Sequence, residues 1–189
     1  LASKPQIKMF EIKLSQGAKP GKGGILPAEK VSAEVAAIRG ITPGEASISP
    51  NGHTDIRSVS DLMDMINHVR NVTGKPVGFK AVLGDTQWLG ELIEEIRLRG
   101  IEAAPDFITL DSSDGGSGAA PQPLMDHLGL PIKESLPTLT NVLTDAGLKD
   151  RIKIAVAGKL ITPHMVAWAL ASGADFVNSA RGFMFALGC

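Results

Sequence analysis

The chain has 189 residues, 43% of them hydrophobic, which is enough for one domain of ordinary size with a packed core. Its 19 lysines and arginines nearly balance its 20 aspartates and glutamates, so the net charge of −1 provides no positive field for nucleic acid or an anionic membrane. No apolar run could span a bilayer, no signal peptide is recognisable, and the single cysteine excludes an internal disulfide, so we expect a cytoplasmic protein.

Six short apolar runs predict β-strands. Several are apolar at both alternating sets of positions, which is the pattern of strands buried on both faces of a parallel sheet. In chain order, the predicted strands are residues 9–14, 46–48, 77–83, 107–110, 152–157 and 176–178. Amphipathic stretches between them predict helices at residues 32–39, 60–72, 87–99, 136–146 and 163–171, with a further short helix from about residue 182.

Repeated strand–helix units favour either a barrel or an open doubly wound sheet. A complete (β/α)8 barrel needs eight units and about 250 residues, so the six units here would be the last six of a barrel. An open six-stranded α/β sheet is the alternative, and the pattern alone does not decide between them. Because the chain begins with leucine rather than methionine, we expect residues 1–189 to be one domain of a longer protein.

A loop rich in glycine and lysine follows the first predicted strand. Residues 16–27 read QGAKPGKGGILP, with four glycines, two prolines and two lysines. Such a loop can bring bare backbone and positive charge against an anionic ligand. The alternative from composition alone is an ordinary surface loop, because glycine and proline are common in loops.

The order of residues in this loop resembles the QGAKPGxGGxLP signature of the flavin-binding synthase domain of glutamate synthase. Further segments similar to that family follow in the same order: ISP at 48–50 with His53, Asp55, Ile56 and Ser58 after it, FKAV at 79–82, DGGSGAAP at 114–121, GLP at 129–131 and FMFALGC at 183–189. The resemblance covers nearly the whole chain. It implies an α/β fold, a (β/α)8 barrel of the TIM type, of which this chain carries about the last six units.

The resemblance also implies a glutamate-synthase-like flavoenzyme with FMN as its cofactor. In that reaction ammonia condenses with the keto group of 2-oxoglutarate or a similar 2-oxo acid, and reduced FMN delivers hydride to the imine carbon. Electrons are expected from an electron-donor subunit or ferredoxin, through a 3Fe–4S cluster of the full-length protein, and ammonia from a glutaminase domain or subunit. The stretch alone is expected to be inactive, because two barrel strands are missing from it.

Two alternatives stay open at this point. One is an FMN oxidoreductase of the same family that acts on a different amine or acceptor. The other is a barrel subunit that keeps the fold but is not catalytic.

Two cations match family positions that bind the 2-oxo acid and its imine. They are Lys19 and Arg39, and a dicarboxylate substrate requires such cations. Arg39 also ends a predicted helix, where a positive charge is favourable for a structural reason alone. Ile25 stands where glutamate synthase usually has a glutamine in contact with substrate, so we expect the pocket to differ there.

Lys80 lies in the third predicted strand, between apolar neighbours. A lysine that faces a barrel interior is costly to bury unless it is paired, so Lys80 either faces outward or has a function. The resemblance places it near N1 and the C2 carbonyl of the flavin, where it would stabilise the negative charge of the reduced form.

Two segments at the ends of the last predicted strands are expected to bind the FMN phosphate, as the corresponding segments often do in barrels. They are Gly158 with Lys159, and Ser179 with Ala180 and Arg181, where backbone N–H groups and cations suit a phosphate. Both segments depart from the glycine-rich pattern of the family, and Lys159 and Arg181 are expected to compensate by supplying charge. Ordinary strand–helix turns are the alternative.

Asp114, Gly115 and Gly116 begin a loop of small residues after the fourth predicted strand. A glycine-rich loop at that place would let the backbone approach the flavin closely. The resemblance makes these three residues part of the cofactor site, with Asp114 shaping the loop rather than acting as a catalyst.

Cys189 is the candidate metal ligand. It matches the first of three family cysteines that hold the 3Fe–4S cluster, and one cysteine cannot hold a cluster by itself. A buried free cysteine is the alternative. His53 and Asp55 lie close together on a loop and are interpreted as a turn rather than as a catalytic pair, and the histidines are too scattered to indicate zinc.

Overall fold

Five of the apolar runs pair into one parallel sheet. The computed structural model describes residues 2, 4–115, 120–125 and 127–188. Along the chain, the strands are β1 (Phe10–Lys13), β2 (Ile25–Leu26), β3 (Ser47–Ile48), β4 (Val77–Ala81), β5 (Phe107–Asp111), β6 (Lys153–Ala157) and β7 (Phe176–Asn178). Within the described residues, the main sheet has the order β1-β4-β5-β6-β7. Since every neighbouring pair in it is parallel, the loops that follow the five strands lie at one edge.

The connections between the strands are helical. The helices are α1 (Ala33–Arg39), α2 (Val59–Thr73), α3 (Gln87–Arg99), α4 (Ile132–Asp145), α5 (Pro163–Ala171) and α6 (Arg181–Ala186). Ser58 caps α2 by accepting a hydrogen bond from the Asp61 N–H, and Gly100 ends α3 as its C-cap. The predicted helices are therefore all present, with bounds that differ by a few residues.

Alternate residues of the strands pack beneath the helices. Phe79 of β4 and Ile108 of β5 belong to one buried cluster with residues of the helices and of β6. The helical members of that cluster are Leu62, Met63 and Ile66 of α2, Leu89, Leu92 and Ile96 of α3, Ile132, Leu136, Leu139 and Leu143 of α4, and Ala169 of α5. Burial of each large apolar side chain contributes about 1.5–3 kcal/mol. Because successive side chains point to opposite faces, Lys80, Thr109 and Asp111 lie on the face away from the helices.

The predicted strand at residues 46–48 is not a strand of the barrel sheet, and this expectation was wrong. Its residues form β3, which pairs antiparallel with β2 in a separate two-stranded sheet. Ile48 lies opposite Ile25 in that pair, and both side chains are largely exposed. A run of three residues is too short to distinguish a buried strand from a hairpin, since neither its length nor its flanking residues show which partner it has. The parallel sheet therefore contains five of the six predicted strands.

Asp106 lies at the amino end of the sheet and joins three segments of the chain. Its Oδ2 accepts hydrogen bonds from the Val77 N–H at 2.8 Å and from Arg70 Nη2 at 2.9 Å, and Arg151 Nη1 lies 3.1 Å from Oδ1. Burial alone would raise the pKa of Asp106, but the Val77 N–H, the Arg70 hydrogen bond and the charges of Arg70 and Arg151 together lower it. The carboxylate thereby anchors β4 and α2 to the start of β5.

Asp175, just before β7, likewise joins separate segments of the chain. Its Oδ2 accepts hydrogen bonds from Lys149 Nζ and from the Ile154 N–H, both at 2.8 Å. Burial would raise the pKa of Asp175, but the Lys149 and Ile154 hydrogen bonds, with the charges of Lys149 and Lys153, lower it. Two ionised carboxylates therefore help to set the register of the strands.

Asp106→Asn is expected to lower the free energy of unfolding at neutral pH by about 1–3 kcal/mol, the usual cost of breaking a partly buried charged network. A carboxyl whose pKa is lowered on folding contributes stability above its unfolded pKa of about 3.9, and loses it as the pH falls through the folded pKa. The difference between wild type and variant should therefore shrink in acid. Urea unfolding of the full-length protein from neutral to acidic pH measures both effects.

The control is Asp150→Asn, at an exposed carboxylate. An equal loss of stability in both variants, or a difference that does not change with pH, would contradict the role given to Asp106.

Candidate functional site

The lysine-bearing loop after β1 is fastened to the end of β5. The Gly17 N–H donates a hydrogen bond to Asp111 Oδ2 at 3.0 Å. A Cβ added to Gly17 would lie 1.8 Å from the carbonyl oxygen of Ser112, so only glycine permits this approach of the two backbones. Ala18 and Lys19, the next residues, are buried as a result.

The far end of the loop is fastened to β3 and the residues after it. The Gly23 N–H donates a hydrogen bond to Asn51 Oδ1 at 3.2 Å, and the Ser49 N–H donates one to the Gly24 carbonyl at 2.9 Å. A Cβ added to Gly23 would lie 2.0 Å from the Ser49 carbonyl oxygen. The loop is therefore held at both ends, and the turn that carries Lys19 lies between the two attachments.

Lys19 lines a cavity of about 300 Å³ between this loop and residues 49–53. The residue as a whole is only 6% exposed. Within the part of the chain that the structure describes, its ammonium makes no hydrogen bond or ion pair. Lys13 and His53 line the same cavity. A buried cation without a counter-ion is costly, so the cavity is suited to an anionic ligand.

Lys80 is half-buried on the face of the sheet away from the helices. Its neighbours across the ladder are Lys13 of β1 and Thr109 of β5. Lys13 Nζ donates a hydrogen bond to Gln16 Oε1 at 3.2 Å, whereas the Lys80 ammonium has no such partner among the described residues. Lys13 escaped the sequence analysis, although its alternation with the partly buried Ile12 could have placed it on the face that carries Lys80.

A second cavity, of about 530 Å³, lies where β5, β6 and β7 end. It brings together most of the residues expected to hold a flavin phosphate: Gly115, Gly158, Lys159, Ser179, Ala180 and Arg181. Asp111 also lines it. Parallel strands place their carboxyl ends side by side, which explains why segments far apart in the chain meet here.

The walls of this cavity are made of close-packed backbone. A Cβ added to Gly158 would lie 1.7 Å from Ser112 Oγ, a buried hydroxyl that has no hydrogen-bond partner in the described structure. Gly158 has φ of +141° and Lys159 has φ of +44°, a conformation unusual for a residue with a side chain. Ser179 Oγ donates to the Leu160 carbonyl at 2.7 Å, so this hydroxyl hydrogen is committed within the protein.

Asp114 lies outside both cavities and caps a helix. Its Oδ1 accepts a hydrogen bond from the N–H of Ile132, the first residue of α4, at 3.1 Å. The contact ties the turn after β5 to the start of α4. Two other predicted site residues, Gly116 and Cys189, lie outside the described residues.

Arg39 and Ile25 are not brought to the cavity that contains Lys19. Arg39 is exposed at the carboxyl end of α1, and Ile25 is 51% exposed on β2. Neither belongs to the lining of the two cavities, as far as the described residues show. His53 Nδ1 accepts a hydrogen bond from the Asp55 N–H at 3.2 Å, which is the contact of a turn rather than of a His–Asp catalytic pair.

The described part of the chain contains neither a membrane-spanning helix nor a metal-binding cluster. None of its helices combines the length and the apolar character that crossing a membrane requires. No group of three or more His, Cys, Asp or Glu side chains in it is placed to hold a metal ion.

Comparison with known proteins identifies relatives along the whole chain. Residues 4–189 match the family model described as the conserved region in glutamate synthase. The chain is 47% identical over 184 residues to the glutamate synthase large subunit-like protein YerD of Bacillus subtilis, covering 97% of this chain and 34% of that protein. It is 38% identical over 182 residues to the archaeal glutamate synthase (NADPH) of Methanocaldococcus jannaschii, and this match covers 95% of this chain and 34% of that protein. The chain thus spans about a third of the length of these relatives.

Solved structures with a similar fold include two flavocytochrome b2 variants. The variant with benzoylformate gives a TM-score of 0.55 at 19% identity, covering 97% of this chain and 38% of that one. The variant with pyruvate bound gives a TM-score of 0.52 at 20% identity, and the match covers 96% of this chain and 38% of that one. At this identity the likeness concerns the fold alone, and it confirms the predicted α/β fold as part of a TIM-type barrel.

Gly17→Ala is expected to prevent the lysine-bearing loop from packing against β5, because the added Cβ would lie 1.8 Å from a backbone oxygen. Backbone cannot move aside as a flexible side chain can, so we expect a loss of about 2 kcal/mol or more in unfolding free energy. Chemical denaturation of the full-length protein measures it.

Gly90→Ala is the matched control, since a Cβ added at this exposed position of α3 meets nothing within 4 Å. That change should be neutral or stabilise by about 0.5–1 kcal/mol. Unchanged stability of Gly17→Ala would show that the loop can pack in another way.

Proposed function

Because the chain belongs to the glutamate synthase family, we propose that it forms the flavin-binding part of an enzyme that reductively aminates 2-oxoglutarate to glutamate. The observation that carries the proposal is Lys19, a buried ammonium that lines a cavity and has no counter-ion among the described residues. A carboxylate of a 2-oxo acid would supply the missing charge. Lys13 lines the same cavity and would add a second cation for a dicarboxylate.

The residues around the second cavity suit the phosphate of FMN. Bare backbone at Gly158 and the N–H groups of residues 179–181 offer hydrogen bonds without side chains in the way, and Arg181 adds a charge-assisted contact. The Ser179 hydroxyl already donates to Leu160, so its backbone N–H is the group available for a phosphate. We propose that Lys159 and Gly115 complete this part of the site, with Gly116 and Asp114 in the adjoining loop.

Bound FMN, when reduced, would supply the hydride for the reaction. Lys80 would then stabilise the negative charge of the reduced cofactor, because its ammonium lies on the open face of the sheet without a partner in the described chain. The reaction consumes 2-oxoglutarate, ammonia, two electrons and two protons, and yields glutamate and water. The role of this chain is to bind and orient the 2-oxo acid next to the cofactor.

The remaining expectations concern the longer protein. We propose that Cys189 contributes to a 3Fe–4S cluster, and that electrons arrive from an electron-donor subunit or ferredoxin. The M. jannaschii relative is named for NADPH, which favours a donor of that kind. Ammonia would come from a glutaminase domain or subunit. Arg39 stays a proposed carboxylate ligand, and its exposed position means that it would have to reach the substrate from the rim.

A second candidate function is the reductive amination of a different acceptor. It is favoured only by the sequence position of Ile25, which stands in place of the family's usual glutamine and cannot donate a hydrogen bond, since its side chain is exposed on β2 and does not line the cavity that contains Lys19. Ile25→Gln tests it: a gain in activity with 2-oxoglutarate would indicate that this position selects the acceptor, and no change would count against that.

Lys19→Met is expected to raise the KM for 2-oxoglutarate about 10- to 100-fold in the full-length enzyme, the effect of losing one charged contact. FMN content should not change. Steady-state kinetics and flavin absorbance measure the two quantities. Lys30→Met, at an exposed lysine on the turn after β2, is the control and should behave as wild type. A normal KM for Lys19→Met would exclude Lys19 from the substrate site.

Arg181→Met is expected to weaken FMN binding at least about tenfold, because a charge-assisted contact to phosphate is lost. Fluorescence titration of the apoprotein with FMN, and separately with riboflavin, measures the effect. Riboflavin binding should change little, since riboflavin has no phosphate. Arg97→Met, which removes an exposed arginine of α3, is the control. Equal losses for FMN and riboflavin would place Arg181 away from the phosphate.

A further inference from the structure

Asp111 lines the larger cavity and contacts the loop that lines the smaller one. It is the last residue of β5, and its neighbour across the ladder is Ala157 of β6. The preceding residue, Leu110, is buried beneath the helices, so the side chain of Asp111 lies on the opposite face. There it lines the cavity at the ends of β5, β6 and β7.

One oxygen of Asp111 holds the lysine-bearing loop. Asp111 Oδ2 accepts the Gly17 N–H at 3.0 Å, a contact between residues 94 positions apart in the chain. The same glycine is pressed against the Ser112 carbonyl, where an added Cβ would lie 1.8 Å from the oxygen. Gly17 is thus located by a hydrogen bond and by a steric contact, and Lys19 follows two residues later.

The other oxygen of Asp111 faces the loop that follows β5. A Cβ added to Gly115 would lie 3.1 Å from Asp111 Oδ1, so the backbone there lies directly over the carboxylate. Gly115 belongs to the lining of the larger cavity. The carboxylate therefore contacts both the loop that carries Lys19 and the loop that lines the proposed phosphate site.

We propose that Asp111 is a positioning residue that sets the place of Lys19 relative to the cofactor cavity, acting through Gly17. The inference rests on the proposed function for its consequence in catalysis, but its structural part stands without it. The essential property of Asp111 is an oxygen that accepts one backbone N–H, because this contact links the two loops. A charge on that oxygen strengthens the link but is not required for it.

The test compares Asp111→Ala with Asp111→Asn in the full-length enzyme. Alanine removes the acceptor, whereas asparagine keeps an amide oxygen at the same place. The control is Asp61→Ala, which removes a carboxylate that also accepts a backbone N–H, that of Arg57 at 2.9 Å, at the start of α2 and far from Gly17 in the chain. Amide hydrogen exchange of residues 16–19 is read without added substrate. The Kd of 2-oxoglutarate is read from the change in flavin absorbance.

In Asp111→Ala, the Gly17 amide should exchange at least about tenfold faster, and the Kd of 2-oxoglutarate should rise at least about tenfold. In Asp111→Asn, both values should stay within about threefold of wild type, and in Asp61→Ala neither should change. If Asp111→Ala does not fold, Asp111→Asn still tests the proposal, because a loss of protection at Gly17 or of binding in a variant that keeps the acceptor oxygen would contradict it.

Two results would overturn the proposal. Unchanged Gly17 exchange in Asp111→Ala would show that the hydrogen bond does not hold the loop. A loss in Asp111→Asn as large as in Asp111→Ala would show that Asp111 acts through its charge or its proton instead. Failure of wild type to bind 2-oxoglutarate would overturn the proposed function alone, because the exchange measurement does not depend on that ligand.

Discussion

Burial of one face of the parallel sheet beneath the helices is the constraint on which the other features depend. It assigns alternate strand residues such as Phe79 and Ile108 to the core, and it leaves Lys80, Thr109 and Asp111 on the other face. Parallel pairing then places every strand's carboxyl end at the same edge. The candidate site arises where these two consequences meet, since the open face carries the charges and the edge carries the loops.

Close backbone contacts fix the positions of the loops, as apolar packing fixes the position of the sheet against the helices. Gly17 against Ser112 and Gly23 against Ser49 leave no room for a side chain, so each end of the lysine-bearing loop has one available position. The contact of Gly158 with the Ser112 hydroxyl likewise leaves no room for a side chain and fixes the loop after β6. A loop held in this way can keep Lys19 buried without a partner among the described residues, because the core supplies the stability that such a charge costs.

The chain carries about a third of its relatives' length, and its charges are consistent with a site shared with the remainder. Asp106 and Asp175 at the amino ends of the strands are neutralised by lysine and arginine. At the carboxyl ends, Lys19 and Lys80 have no such partners in the described structure. The stabilising ion pairs and the candidate site thus lie at opposite ends of the sheet, as is usual for barrels.

Much of the fold was predictable from the sequence, because the spacing of apolar residues and the local composition depend only on residues close together in the chain. Five strands of the parallel sheet and all six α-helices follow from apolar runs. The anionic ligand expected at the glycine-rich loop stays a prediction. The gathering of Gly158 with Ser179 and Arg181 was also predicted, since parallel strand ends must meet. Residues 46–48 were assigned to the wrong sheet, because so short a run does not specify its partner.

The sequence by itself determined which segments become strands, helices and loops, and which residue types are available at their ends. Tertiary structure alone decided that Asp111 accepts the N–H of Gly17, that Lys13 lies beside Lys80, and that Arg39 and Ile25 lie away from the cavity containing Lys19. The physical reason is distance along the chain. Contacts between residues 94 or 67 positions apart are set by the register of the sheet and the path of the loops, and no local pattern records either.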